Sequence, residues 1–89
     1  MILNQSYEIS FVDYSEDKMI YPYWIIMVID RQNRGLSRGN NWLDYDVRTI
    51  IERLQGIAFV SRESFDYSHV FCFDQKRDAM FLKLMLEHG

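Results

Sequence analysis

Apolar and polar residues along the chain fall into blocks whose period changes from two to helical and back. Residues 7–12 and 21–29 are rich in aromatic and β-branched side chains and are separated by a polar stretch at 13–18, which predicts two strands joined as a hairpin. Residues 31–41, RQNRGLSRGNN, have no apolar period and hold two glycines, the pattern of a long loop. From Trp42 the period becomes helical. Leu43, Val47, Ile50, Ile51 and Leu54 fall within an arc of about 100°, the stripe of an ordinary surface helix. Asn41 suits its N-cap, Asp44 and Asp46 the positive end of its dipole, and Gly56 its C-terminal stop. Residues 57–61 and 68–73 predict a second hairpin turned over 62–66, after which Asp74 would cap a last helix running to about Glu87.

The order is strand, strand, helix, twice over. Ile9-Ser-Phe-Val12 is echoed by Ile57-Ala-Phe-Val60, and the second strand of each unit runs into an aspartate, Asp30 and Asp74. Two ββα units most simply build one α+β domain over 1–89: a two-layer sandwich of a four-stranded antiparallel sheet with both helices on one face. That arrangement resembles a circularly permuted ferredoxin-like fold, a likeness of architecture that carries no activity.

The last helix holds more apolar surface than one sheet can cover. Lys76, Lys83 and Glu87 share a narrow stripe, while Ala79, Met80, Phe81, Leu82, Leu84, Met85 and Leu86 occupy an arc of more than about 200°. Strand 21–29 is apolar on both faces, with Tyr21, Tyr23, Ile25 and Met27 on one and Trp24, Ile26 and Val28 on the other. The last strand repeats this, with Phe71 and Phe73 opposite Val70 and Cys72. Surplus apolar surface of this size marks a contact with a protein partner or a second copy in a homodimer. Phe81, Leu82 and Met85 on the helix, and Tyr21, Tyr23 and Phe71 on the sheet, are the expected contact residues.

Length and charge sharpen that reading. A chain of 89 residues buries only about 60–65% of its unfolded surface, so association would add to a thin stability margin. Apolar residues make up 48% and aromatics 16%, which excludes a disordered chain. The formal charge of −3 is unevenly placed. Glu8, Asp13, Glu16, Asp17 and Asp30 face Lys18 alone in the first third, whereas Arg31, Arg34 and Arg38 follow without an acid until Asp44. A single cysteine, Cys72, allows no internal disulfide. With no apolar run long enough to span a membrane and no leader pattern at its start, the chain is expected in the cytoplasm.

Most constellations that might carry chemistry fail on spacing. His69 and Cys72 stand three apart, on opposite faces of a strand, and cannot share a metal. Cys72 between Phe71 and Phe73 reads as an inert core thiol. Asp13, Ser15 and Asp17 imitate the start of a calcium loop, but Lys18 stands where glycine is needed and Trp24 where a bidentate glutamate is needed. Asp44 and Asp46 diverge on a helix, which does not suit paired acid and base work. No metal, cofactor or catalytic residue is therefore expected. The loop carrying Arg31, Arg34 and Arg38 could meet phosphates of a nucleic acid, with sheet aromatics stacking on bases, or an acidic protein surface. It lacks the GK[ST] ending of a nucleotide-binding loop, and the overall charge is acidic.

The segment FCFDQKRDAMFLKLML, in which Asp78, Ala79, Met80, Lys83 and Leu84 carry the likeness, resembles the C-terminal ends of small bacteriophage proteins. Leu82 stands where an aromatic is common in them, and nothing upstream matches. The resemblance implies a viral origin, a host-cytoplasmic location and a compact α/β fold. It transfers no catalytic residue. Small phage proteins of this kind act by occupying a host protein, so the expected function is a non-enzymatic protein-binding module that inhibits a host protein or defence complex.

Overall fold

The computed structural model describes residues 3–30, 41–64 and 67–88, with only the backbone described at Asn41 and Trp42. Its elements are β1 (Tyr7–Asp13), β2 (Tyr23–Ile29), α1 (Asn41–Arg53), β3 (Phe59–Glu63), β4 (Ser68–Phe73) and α2 (Lys76–His88). The strands form one antiparallel sheet in the order β1-β2-β4-β3. Each hairpin pairs internally, and the two are joined through β2 and β4. This is the expected α+β arrangement in the expected order.

Two boundaries move for local reasons. β2 begins at Tyr23 rather than Tyr21 because Pro22 has no N–H for a ladder, and its carbonyl instead accepts from Tyr14 N at 2.8 Å. β3 begins at Phe59 rather than Ile57, because Ile57 N still donates to Leu54 O at 3.1 Å while Gly56 turns the chain at φ +83°. That positive φ is the one the expected glycine stop requires. At the start of α2 the cap falls one residue later than expected. Gln75 O accepts from Asp78 N and Ala79 N at 3.1 and 3.3 Å, whereas Asp74 Oδ1 is buried with no hydrogen-bond partner among the described residues.

Both helices cover the same side of the sheet. Ile25, Met27 and Ile29 of β2 and Phe71 and Phe73 of β4 form one core with Leu43, Val47, Ile50 and Leu54 of α1 and Ala79 and Leu82 of α2. Ile9, Phe11, Tyr23 and Phe59 pack against its edges. The open sheet face was expected to carry the tyrosines and phenylalanines, and the structure reverses this. Pairing Tyr23 with Phe73 and Ile25 with Phe71 gathers four large side chains into a single layer, and that layer is the one the helices bury, while Trp24 faces the open side. Ile51, expected in the buried stripe of α1, is exposed, and so are Phe81 and Leu84 of α2.

Asp46 does not serve the helix dipole. Its carboxylate is 1% exposed. Oδ1 accepts from Asn4 N and Asn4 Nδ2, both at 2.8 Å, and Oδ2 from Gln5 N at 3.2 Å and Tyr7 Oη at 2.6 Å. Four donors replace the water this carboxylate loses, and they tie the segment before β1 to α1.

Candidate functional site

Side chains alternate across a strand, so the residues between those of the core point away from the helices. The register sets them in rows. Val12, Trp24, Cys72 and Val60 cross the sheet in one row, Ser10, Ile26, Val70 and Arg62 in the next, and Glu8, Val28 and Ser68 in the third. The face is apolar along its middle and polar at its β1 and β3 edges. Val70 and Cys72 are buried even here, because they are small residues set between the larger Trp24 and Ile26 on β2 and Val60 and Arg62 on β3. Arg62 reaches across β4, its guanidinium carbon 4.7 Å from the centre of the Trp24 ring. Its aliphatic stem and the cation–π contact shield the valley between them.

The turn between β1 and β2 raises one wall beside this face. Ser15 N donates to Asp13 Oδ1 at 2.8 Å, and the two hydrogen bonds from Ser15 hold the Asp13 carboxyl below the usual carboxylate range. A 3-10 turn follows at Ser15–Asp17, and Lys18 takes a left-handed conformation at φ +54°. The acidic stretch that imitates a calcium loop is thus closed on its own backbone at Asp13. Tyr14 meets Trp24 edge-on at 4.8 Å, and Trp24 Nε1 donates to Tyr21 O at 2.8 Å. These contacts fix the indole and leave Met19 and Ile20 projecting, Ile20 with 82% of its surface exposed.

The result is a groove of about 410 Å³. Met19, Ile20, Trp24, Val60 and Cys72 form its apolar lining, and Lys18, Tyr21 and Arg62 stand around it. It has no acidic lining residue and is open to solvent along its length. Enclosed sites that bind small molecules bury most of the ligand, and an open trough of this kind suits side chains presented by another protein surface. Burial pushes the Cys72 thiol above its ordinary pKa, partly offset by the Arg62 charge, so the sulfur stays protonated and packs as an apolar group.

The residues expected from sequence to meet a partner separate into three groups. Tyr21 stands at the groove, and Phe81 is exposed on α2, one turn from the exposed Leu84. Tyr23 and Met85 pack half-buried against the core. Phe71 and Leu82 lie wholly inside it, each at 0% exposure, so a partner on this surface cannot touch them; the helix layer claims the face that carries both. The expected loop contact through Arg31, Arg34 and Arg38 lies outside the described residues. Sequence reasoning missed Met19, Ile20, Val60 and Arg62. An apolar pair inside a polar turn was the available signal for Met19 and Ile20. Nothing local marks Arg62, whose partner Trp24 belongs to the other hairpin.

His69 lies on the core side of β4, nearly buried, its ring centre 5.0 Å from that of Phe71. Its Nε2 has no hydrogen-bond partner among the described residues, and burial lowers its pKa against the opposing pull of Glu63 and Asp44. Cys72 points to the opposite face, as the strand spacing requires. Among the described residues no group of three or more His, Cys, Asp or Glu is placed to hold a metal ion, and no helix is long and apolar enough to cross a membrane. Comparison with known proteins finds no matching family, no similar curated protein and no similar solved structure.

Proposed function

We propose that this chain is a non-enzymatic protein-binding module whose contact is the apolar sheet face turned away from the helices. The observation that carries this reading is the groove beside Trp24, where Ile20, Met19 and Val60 expose large apolar side chains around a fixed indole. A contiguous apolar patch on a small domain costs free energy in water and is covered at a protein interface. Lys18, Arg62 and Glu8 supply the polar rim that such interfaces have. The resemblance of the C-terminal segment to phage proteins adds a role: the module occupies and inhibits a host protein or defence complex. The exposed Phe81 and Leu84 of α2 form a second, smaller apolar ridge on the helix side. The test is to compare proteins retained from host lysate by the wild-type chain, by Ile20→Asp with Val60→Asp, and by Phe81→Asp with Leu84→Asp. All these positions are exposed, so the variants keep the core. Retention lost in the sheet-face variant alone supports the reading, and retention unchanged in it overturns the reading.

A further inference from the structure

We infer that the occupant of the open sheet face is a second copy of this chain, packed sheet to sheet about a two-fold axis that runs along the strands. The inference rests on the proposed role of that face as a protein contact and adds that, in the free protein, a second copy covers it until a host protein takes its place.

Three observations select this occupant and this axis. The first is relief. On β2 the open face carries Trp24 and Ile26, and on β4 it carries the small, sunken Val70 and Cys72. With strand order β1-β2-β4-β3, a two-fold axis along the strands lays β2 of each copy over β4 of the other. Ridge then lies over valley twice, and Arg62, which covers each valley in the single chain, leaves Trp24 to admit it. An in-plane axis across the strands would lay β2 on β2 and set ridge against ridge.

Charge is the second observation. Under the same axis the β1 edge of each copy lies over the β3 edge of the other. The β1 edge exposes Glu8 and Ser10, and the β3 edge exposes Arg62. Neither Glu8 nor Arg62 forms a salt bridge among the described residues. The axis keeps each row in place, so each Glu8 lies one row from the partner subunit's Arg62, which sits opposite Ser10; an Arg62 side chain released from Trp24 spans that one row, and two-fold symmetry makes the contact twice. A nucleic acid would meet only two cations here, Lys18 and Arg62 at the groove, with Glu8 against them at the β1 edge.

The third is size. Four strands about 4.8 Å apart and about six residues long have a plan area of about 400 Å². Side-chain relief, with Met19 and Ile20 beyond the last row, adds to this, and an area of about 400 Å² per copy or somewhat more belongs to a weak, reversible dimer. Aligned sheets packed about 10 Å apart accommodate side chains of this length.

Sedimentation equilibrium from about 1 µM to about 1 mM tests the inference, using the wild type, Glu8→Arg, Arg62→Glu, the double reversal and Ile26→Asp, each checked for its native circular dichroism. The expected result is a reversible wild-type dimer, weakened about tenfold or more by each single reversal and restored to within about threefold by the double reversal. Ile26→Asp should leave only monomer. Positions 8 and 62 are exposed, so the charge variants remain informative even if Ile26→Asp fails to fold. A dimer that Ile26→Asp breaks and the double reversal does not restore overturns the axis. A monomer at every concentration that loses lysate capture in Ile26→Asp overturns the second copy and leaves the protein-binding reading standing. Association and capture that both ignore Ile26→Asp overturn the two together.

Discussion

Replacing Asp46, buried in the middle of α1, with alanine should destabilise the fold by about 3–4 kcal/mol. The magnitude follows from its four donors. Hydrogen bonds to a charged acceptor are worth about 1.5–3 kcal/mol each, but those from the exposed Asn4 return to water when the carboxylate is removed and count for little. Tyr7 Oη and Gln5 N, bound at 2.6 and 3.2 Å, are the half-buried donors that lose a charged acceptor. Tyr7→Phe removes one of them and should cost about 1–2 kcal/mol, with a coupling of similar size in the double mutant. For a chain of 89 residues the larger loss is a sizeable part of a total of about 4–13 kcal/mol. Urea unfolding followed by circular dichroism would show it as a midpoint lowered by about 2–4 M at an m-value of about 1–1.5 kcal/mol/M. Asp46→Ala within about 0.5 kcal/mol of wild type would refute the assignment of this carboxylate as the clamp on the N-terminal segment. Burial, and then the bond to Asp46, raise the Tyr7 phenol far above its ordinary value, so its stabilisation is complete below about pH 10 and is lost as pH climbs beyond.

Three further outcomes follow from burial. Leu82→Ala should cost about 2–5 kcal/mol in thermal or urea unfolding, whereas Phe81→Asp, at a position 48% exposed, should cost about 0.5 kcal/mol or less; equal effects would contradict the division of α2 into buried and outward sides. Because burial lowers the pKa of His69, the unfolded chain takes up a proton there first, so its contribution is complete above about pH 6.5 and declines as pH falls through the folded value; His69→Gln should flatten the dependence of unfolding free energy between about pH 7.5 and 5.5, and an unchanged slope would exclude His69 as its source. The Cys72 thiol, with its pKa raised and its side chain under Arg62 and Trp24, should react with a maleimide at least about tenfold more slowly than free cysteine at neutral pH, and Arg62→Ala should speed it; a fast wild-type reaction would mean that the valley on β4 is open.

The elements and their order were legible in the sequence because each rests on local periodicity. Leu43, Val47, Ile50 and Leu54 announce α1 by spacing alone, and Gly56 announces its end, since few other residues tolerate a φ of +83°. What spacing could not decide was which face of β2 and β4 the helices would cover, because both strands are apolar on both faces. Tertiary pairing decided it, by bringing Phe71, Phe73, Ile25 and Tyr23 into register as one layer of large side chains. The same choice removed Phe71 from the set of contact residues and left the smaller Val70 and Cys72 facing out. It divided the last helix too, sending Leu82 inward and Phe81 and Leu84 to the surface. The clamp on Asp46 and the reach of Arg62 over Trp24 join residues far apart in the chain, and such pairings leave no local pattern to read. Sequence alone determined that this chain holds more apolar surface than its own two layers can cover, and only the tertiary structure decided that much of the surplus lies on the open sheet, because side-chain volume and register together select the face that packs.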